Sequence, residues 1–305
     1  MTIAWVVFNV ILVALILLDL NFAKGRKLRV KEALSFSLGW VILASLFALL
    51  IACTLGWQAA LEFSTGYLIE LSLSVDNLFV FLLAFQYFAI PEKLQPKILF
   101  WGVIGALVMR LVCILVGLSL IQTFSFVFYI FGAFLITVSL CMLLRKDKEI
   151  KPQNNYLLQI AKKFVPFLDH NVGDKFFVKQ GGKIFATPLF AALITIETLD
   201  LVFALDSIPA IFGVTSDPFI VYTSNALAIL GLRSLYFAIQ HLTGYFAHLH
   251  YGVSCVLFFI GLKMVGKDVV EINAALSLAV IIFILTSSIL SSLISKGKGK
   301  KHEPS

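Results

Sequence analysis

Apolar runs of about 20 residues, each long enough to cross a hydrocarbon layer roughly 30 Å thick as a helix, recur along the whole 305-residue chain. Breaking the pattern at charged and Pro/Gly clusters predicts nine helices, over 3–22, 34–56, 64–89, 97–121, 125–144, 185–212, 218–239, 249–265 and 272–294. Lipid offers no partner to an open strand edge, so the expected class is all-α, a polytopic protein with 1–305 as a single transmembrane domain. The run from Ile3 to Leu20 has no preceding basic region and no small-residue cleavage pattern. It reads as a retained helix rather than a signal peptide, and no transit peptide is visible.

Composition agrees: 60% of residues are hydrophobic, 13% are charged, and mean hydropathy is +0.98. A net charge of +7 would suit a nucleic-acid binder, but these basic residues sit between apolar runs, so no nucleic-acid partner is expected. "KGRKLRVK" (24–31), "PEKLQPK" (91–97), the loop 145–183 and the basic tail 295–305 fall on one side if there are nine crossings. By the positive-inside rule that side is cytoplasmic, which puts the N-terminus outside and the C-terminus inside. Within 145–183, "LLQIAKKFVPFL" suits either an amphipathic helix on the inner headgroups or a solvated connector. Cys53, Cys113, Cys141 and Cys255 lie in apolar stretches without metal-ligand spacing and read as small hydrophobes.

The chain also contains a repeat. "SVDNLFVF" in the third helix answers "TLDLVFALDSIPAIF" in the sixth, "GVIGALVMR" answers "NALAILGLR", and "YIFGAF" answers "LFFIGL". Asp76 precedes Arg110 by 34 positions and Asp200 precedes Arg233 by 33. Two units of three helices, 3–5 and 6–8, must lie in opposite senses in the membrane, an inverted repeat of the kind transporters use to build a central site. The register has two solutions. One pairs Asp76 with Asp200; the other pairs Glu70, Asp76 and Asn77 with Asp200, Asp206 and Ser207.

Five carboxylates fall inside these two helices: Glu70, Asp76, Glu197, Asp200 and Asp206. Left unpaired in lipid, each would cost about 2.5–3.5 kcal/mol, so they are expected to face the bundle interior. Residues seven apart share a helix face, which aligns Glu70 with Asn77 and Asp200 with Ser207. Pro209 is expected to break or unwind the helix near Asp206 and free carbonyl oxygens. Carboxylates, an amide, a hydroxyl and carbonyls make an all-oxygen set suited to Mn²⁺, Mg²⁺ or Ca²⁺. The plainer reading is an ion-pair network with Arg110 and Arg233 that holds the helices together. His170, His241, His248, His250 and His302 fall in loops or at helix ends and are read as interfacial. Asp19 and Lys263 are expected to snorkel to the interfaces. Gly102, Gly105 and Gly132 are expected to permit close helix contact.

"TGYLIELSLSVDN" (65–77), "PEKLQPKILFWGVIGALVMR" (91–110) and the stretch 186–237 resemble the TerC family of integral membrane proteins, in particular its Alx-like branch, over nearly the whole chain. The family is named for tellurite resistance. The resemblance implies Mn²⁺ export across the bacterial cytoplasmic membrane, with the acids of helices 3 and 6 essential: Asp76 with Asn77, and Asp200 and Asp206 with Ser207. The expected function is therefore a divalent-cation transporter working by alternating access, with proton exchange a compatible energy source. Asp76, Asp200 and Asp206 would be principal ligands and Asn77 and Ser207 would complete the shell. Glu70 and Glu197 would attract the ion or carry protons, while Arg110 and Arg233 would balance charge in the empty site. No tightly bound cofactor is expected, and Mn²⁺ is the substrate that the resemblance implies. The alternative is a non-transporting membrane partner in metal or tellurite stress. An intramembrane aspartyl protease is disfavoured, because its GxGD motif is absent from both Asp76 and Asp206.

Overall fold

The computed structural model describes residues 2–22, 30–124, 126–144, 158–159, 162–163, 165–168, 172–242, 249–269 and 272–299. Among them ten α-helices carry the chain: α1 (Thr2–Phe22), α2 (Val30–Leu55), α3 (Trp57–Tyr87), α4 (Gln95–Thr123), α5 (Phe126–Leu144), α6 (Pro188–Phe212), α7 (Pro218–Leu230), α8 (Leu232–Leu242), α9 (Leu249–Val265) and α10 (Ala274–Gly299). Five of these, α2, α4, α5, α6 and α10, hold apolar stretches long enough to cross a membrane, and α1, α7 and α9 hold shorter ones. The 31-residue α3 carries the polar stripe through the middle. On α4, Val108, Val112 and Leu115 are exposed while Ala106, Arg110 and Ile114 are buried. That distribution suits lipid outside and polar groups within. The chain is an all-α polytopic membrane protein.

The helix predicted over 218–239 is two helices. Gly231 tightens the chain, its N–H bonding to the Ala228 carbonyl three residues back (3.2 Å), and α8 restarts at Leu232. A 13-residue α7 rises only ~20 Å, short of the hydrocarbon thickness, so α7 and α8 cross together. Asp217 caps α7, accepting hydrogen bonds from the N–H groups of Phe219 (2.8 Å) and Ile220 (3.2 Å), with Pro218 at the first helical position. Every residue of α7 from Phe219 to Leu230 is buried, which makes it the centre of the bundle. Trp5 and Phe8 of α1 pack on Phe219 and Tyr222, and the Tyr222 hydroxyl donates to Asn9 Oδ1 (2.9 Å).

The expected unwinding at Pro209 does not occur. α6 runs unbroken to Phe212, with Pro209 inside its last turn. Proline removes one N–H, so only the Leu205 carbonyl loses its helical donor, and three residues later the helix ends anyway.

Part of 145–183, continuing to Ala186, forms an antiparallel hairpin, β1 (Phe177–Gln180) with β2 (Lys183–Ala186), where the sequence reading expects a plain loop. Gly181 and Gly182 turn it at φ +56° and +81°, the sign a two-residue type I′ turn needs at both positions. The Thr187 hydroxyl donates to the Lys175 carbonyl (2.8 Å), tying the hairpin to the start of α6. Lys97 of α4 pairs with Asp174 (3.1 Å) and lies over the Phe176 ring (5.1 Å). In the stretch 157–168, residues 158–159 and 162–163 are helical, with Leu158 buried and Gln159, Lys162 and Lys163 exposed, a two-sided pattern. Residues 157, 160, 161 and 164 lie outside the described residues, as does the tail beyond 299.

Packing has the symmetry of the repeat. α3 lies along α7, α4 lies along α6 to nearly the same extent, and α5 lies along α9. The first helix of each unit therefore meets the second of the other, and third meets third. α8 extends the second helix of the second unit.

Candidate ion-binding centre

Arg110, 1% exposed, projects from α4 into the middle of the bundle. Its Nη1 donates to Asn225 Oδ1 on α7 (2.9 Å) and to Ser207 Oγ on α6 (3.2 Å), and pairs with the Glu70 carboxylate on α3. Its Nη2 lies 3.6 Å from Asp200 Oδ1 on α6. One guanidinium thus joins helices of both repeats. The Ser74 hydroxyl, one turn along α3, donates to Glu70 Oε1 (3.2 Å), and the Asn225 amide donates to the Val221 carbonyl (2.7 Å). Neither Glu70 nor Asn225 can rotate away from Arg110 without losing its own support.

Among the described residues, Arg110 Nε and Nη2 and Asp200 Oδ2 are buried and have no hydrogen-bond partner. Fully buried charges usually carry a complete set of partners, because each unsatisfied polar atom costs about 1–3 kcal/mol, and more if charged. Such atoms are candidate contacts for something that comes and goes. Asp200 also lines a cavity of about 20 Å³, which Arg233, 5% exposed, reaches from α8.

The sequence-predicted residues divide as follows. Glu70, Asp200, Ser207 and Arg110 are brought together. Arg233 stands beside Asp200 across the cavity, and Asn77 is buried on α3, seven residues from Glu70. Glu197 is half-buried one turn before Asp200, its carboxyl group over Gly105. Asp76 and Asp206 sit in α3 and α6, but their side chains lie outside the described residues, as do those of Asp19 and the five histidines. No group of three or more His, Cys, Asp or Glu side chains is gathered in metal-binding geometry among the described residues. Glu70 and Asp200, which flank Arg110, are the residues paired by the second repeat register.

Sequence reading missed Asn225. A lone amide in "TSNALAIL" was the available signal, since an uncompensated amide in an apolar helix needs an internal partner. Lys263, expected to snorkel, donates to Ser277 Oγ of α10 (3.0 Å). All four cysteines are free and lie on four different helices.

An inverted-repeat membrane bundle with a charged cluster shared between its halves defines the class. Residues 55–300 match the integral membrane protein TerC family, and the chain belongs to that family. It is 42% identical over 302 residues to "Uncharacterized membrane protein STKORF319" of Myxococcus xanthus, covering 98% of this chain and 93% of that one. It is 40% identical over 295 residues to an "Uncharacterized membrane protein" of Rickettsia bellii, covering 96% and 98%. It is 41% identical over 302 residues to "Putative membrane-bound redox modulator Alx" of Escherichia coli, covering 94% and 92%. No solved structure matches.

Proposed function

We propose that this protein exports a divalent cation, Mn²⁺ in preference, across a bacterial cytoplasmic membrane by alternating access. The carrying observation is the Arg110 cluster: carboxylates of α3 and α6, from opposite repeats, share one guanidinium, and Asp200 Oδ2 beside it has no partner among the described residues. In the sequence the five acids Glu70, Asp76, Glu197, Asp200 and Asp206 outnumber Arg110 and Arg233. A mobile cation at the same place would supply the missing positive charge and accept the oxygen donors that suit Mn²⁺.

In this reading Arg110 stands in for the ion when the centre is empty, and Asp76, Asp200, Asp206, Asn77 and Ser207 take the ion when it arrives. Rocking one repeat against the other would expose the centre to each side in turn. The N-terminus lies outside and the basic side, with the hairpin, faces the cytoplasm.

The same cluster supports a second reading, in which Arg110 only holds helices together in a non-transporting membrane partner. A thiol-based role drawn from the name of the Alx relatives gains no support from four free cysteines on separate helices. Mn²⁺ flux into vesicles reconstituted with wild type, Asp76→Ala and Asp206→Ala separates the first two readings. Export predicts flux for the wild type and loss in both variants; equal flux in all three removes the assigned ligands.

A further inference from the structure

We infer that the seam between α4 and α6 is the path from the hairpin side of the membrane to the centre, with Glu197 as its outer stop and Gly105 as the residue that positions it. The inference rests on the transport reading and adds a route and a positioning residue.

A Cβ at Gly105 would lie 2.2–2.4 Å from both oxygens and the carbon of the Glu197 carboxyl group. No side chain fits there while that carboxylate keeps its place. The atoms it would meet are the far end of a flexible chain, so a methyl group displaces the carboxylate rather than the helices. Gly105 is therefore a notch that lets Glu197 lie flat against α4.

Three further observations make the notch part of a route. Glu197 and Asp200, three apart on α6, share a face, and of the two only Glu197 is partly exposed. The cavity of about 20 Å³ lies along the same seam, between Gly102 and Ala106 of α4 and Ile196 and Asp200 of α6. That is room for one water or one stripped ion. Asp200 lines this cavity and leaves Oδ2 without a partner among the described residues. Both helices begin at the hairpin, α4 through Lys97 and α6 through Thr187, so Glu197 and Gly105 stand nearer that end than Asp200 and Arg110. A cation arriving from that side meets a half-buried carboxylate first and a fully buried one a turn later. The first raises the local ion concentration, and the second holds the ion after it has lost its water.

Mn²⁺ flux in reconstituted vesicles, as a function of Mn²⁺ concentration and of ionic strength, tests this with Gly105→Ala, Glu197→Gln, the double variant and Gly39→Ala. Gly39 lies on α2 with nothing within 4 Å of the place a methyl group would take, and so reports the generic effect of the exchange. Gly105→Ala and Glu197→Gln should each raise KM about tenfold, the low end for loss of a focusing charge, while the maximal rate stays close to wild type. Both should flatten the dependence of KM on salt. The double variant should be no worse than Glu197→Gln, because the glycine acts only through the carboxylate. A wild-type KM in Gly105→Ala, or multiplied effects in the double variant, overturns the path while leaving transport standing. Should Gly105→Ala unfold, a wild-type KM in Glu197→Gln overturns it instead. Wild-type protein with no Mn²⁺ flux removes function and path together.

Discussion

Gly132 on α5 and Gly261 on α9 face each other so closely that a Cβ on Gly132 would lie 3.1 Å from the Gly261 carbonyl oxygen, and one on Gly261 would lie 2.9 Å from the Gly132 carbonyl oxygen. The contact is reciprocal, as expected where the third helices of two inverted units meet. Lipid provides little hydrophobic drive for two apolar helices to associate, so close backbone approach supplies much of the attraction. Alanine at either position should cost about 1–3 kcal/mol by overpacking, and both together should cost less than the sum, because one separation relieves both clashes. Thermal unfolding of the detergent-solubilised protein reads the difference.

Arg110 should be more important to stability than its neighbours. Arg110→Ala leaves the Glu70 and Asp200 carboxylates buried without their common cation, a loss of about 3–5 kcal/mol. Adding Glu70→Gln and Asp200→Asn to that variant should recover a large part of the loss, since neutral amides need no counter-charge. A triple variant less stable than Arg110→Ala alone, by the same melt, would count against the electrostatic account.

Tyr236 of α8, fully buried, donates to Gln95 Oε1 (2.9 Å), and the Gln95 amide donates to the Ile90 carbonyl (3.2 Å). Tyr236→Phe leaves a buried acceptor unmet and should cost about 1–3 kcal/mol, whereas Tyr236→Phe combined with Gln95→Leu should cost less. The comparison is made by chemical denaturation at fixed detergent.

The hairpin has a pH-dependent tether. A hydrogen bond and the positive charge of Lys97 hold the exposed Asp174 carboxyl below its ordinary range. A carboxyl depressed in the folded state contributes above its unfolded pKa and loses that contribution as pH falls through the folded value. The tether is therefore intact at neutral pH and released in acid, below the usual aspartate range. Amide exchange in β1 and β2, corrected for intrinsic rates, should show protection falling there, and Asp174→Asn should abolish the pH dependence.

Much of the bundle is legible in the sequence because apolar run length is set by bilayer thickness, and the repeat is legible because Arg110 and Arg233 stand at matching distances from acids. The break at Gly231 is not, since a glycine in an apolar run is ordinary in membrane helices that continue through it. The hairpin is legible in principle: "FVKQGGKIFA" is two short strands about a Gly-Gly turn, a signal easily overlooked inside a polar connector. At the centre, spacing aligns Glu70 with Asn77 and Asp200 with Ser207 but cannot show that a single guanidinium lies among Glu70, Asp200 and Ser207. That depends on α3 and α4 both packing against α6 and α7, which no single helix encodes. Pro209 misleads because a proline's effect depends on how much helix remains after it.

An α6 without a break behaves as a stiff rod. Its foot is bolted through Thr187 to a hairpin that also grips α4 through Lys97. Tilting that hairpin from the water phase would shift both rods at the foot, and the buried acids partway along would feel the movement without any change in the lipid around them.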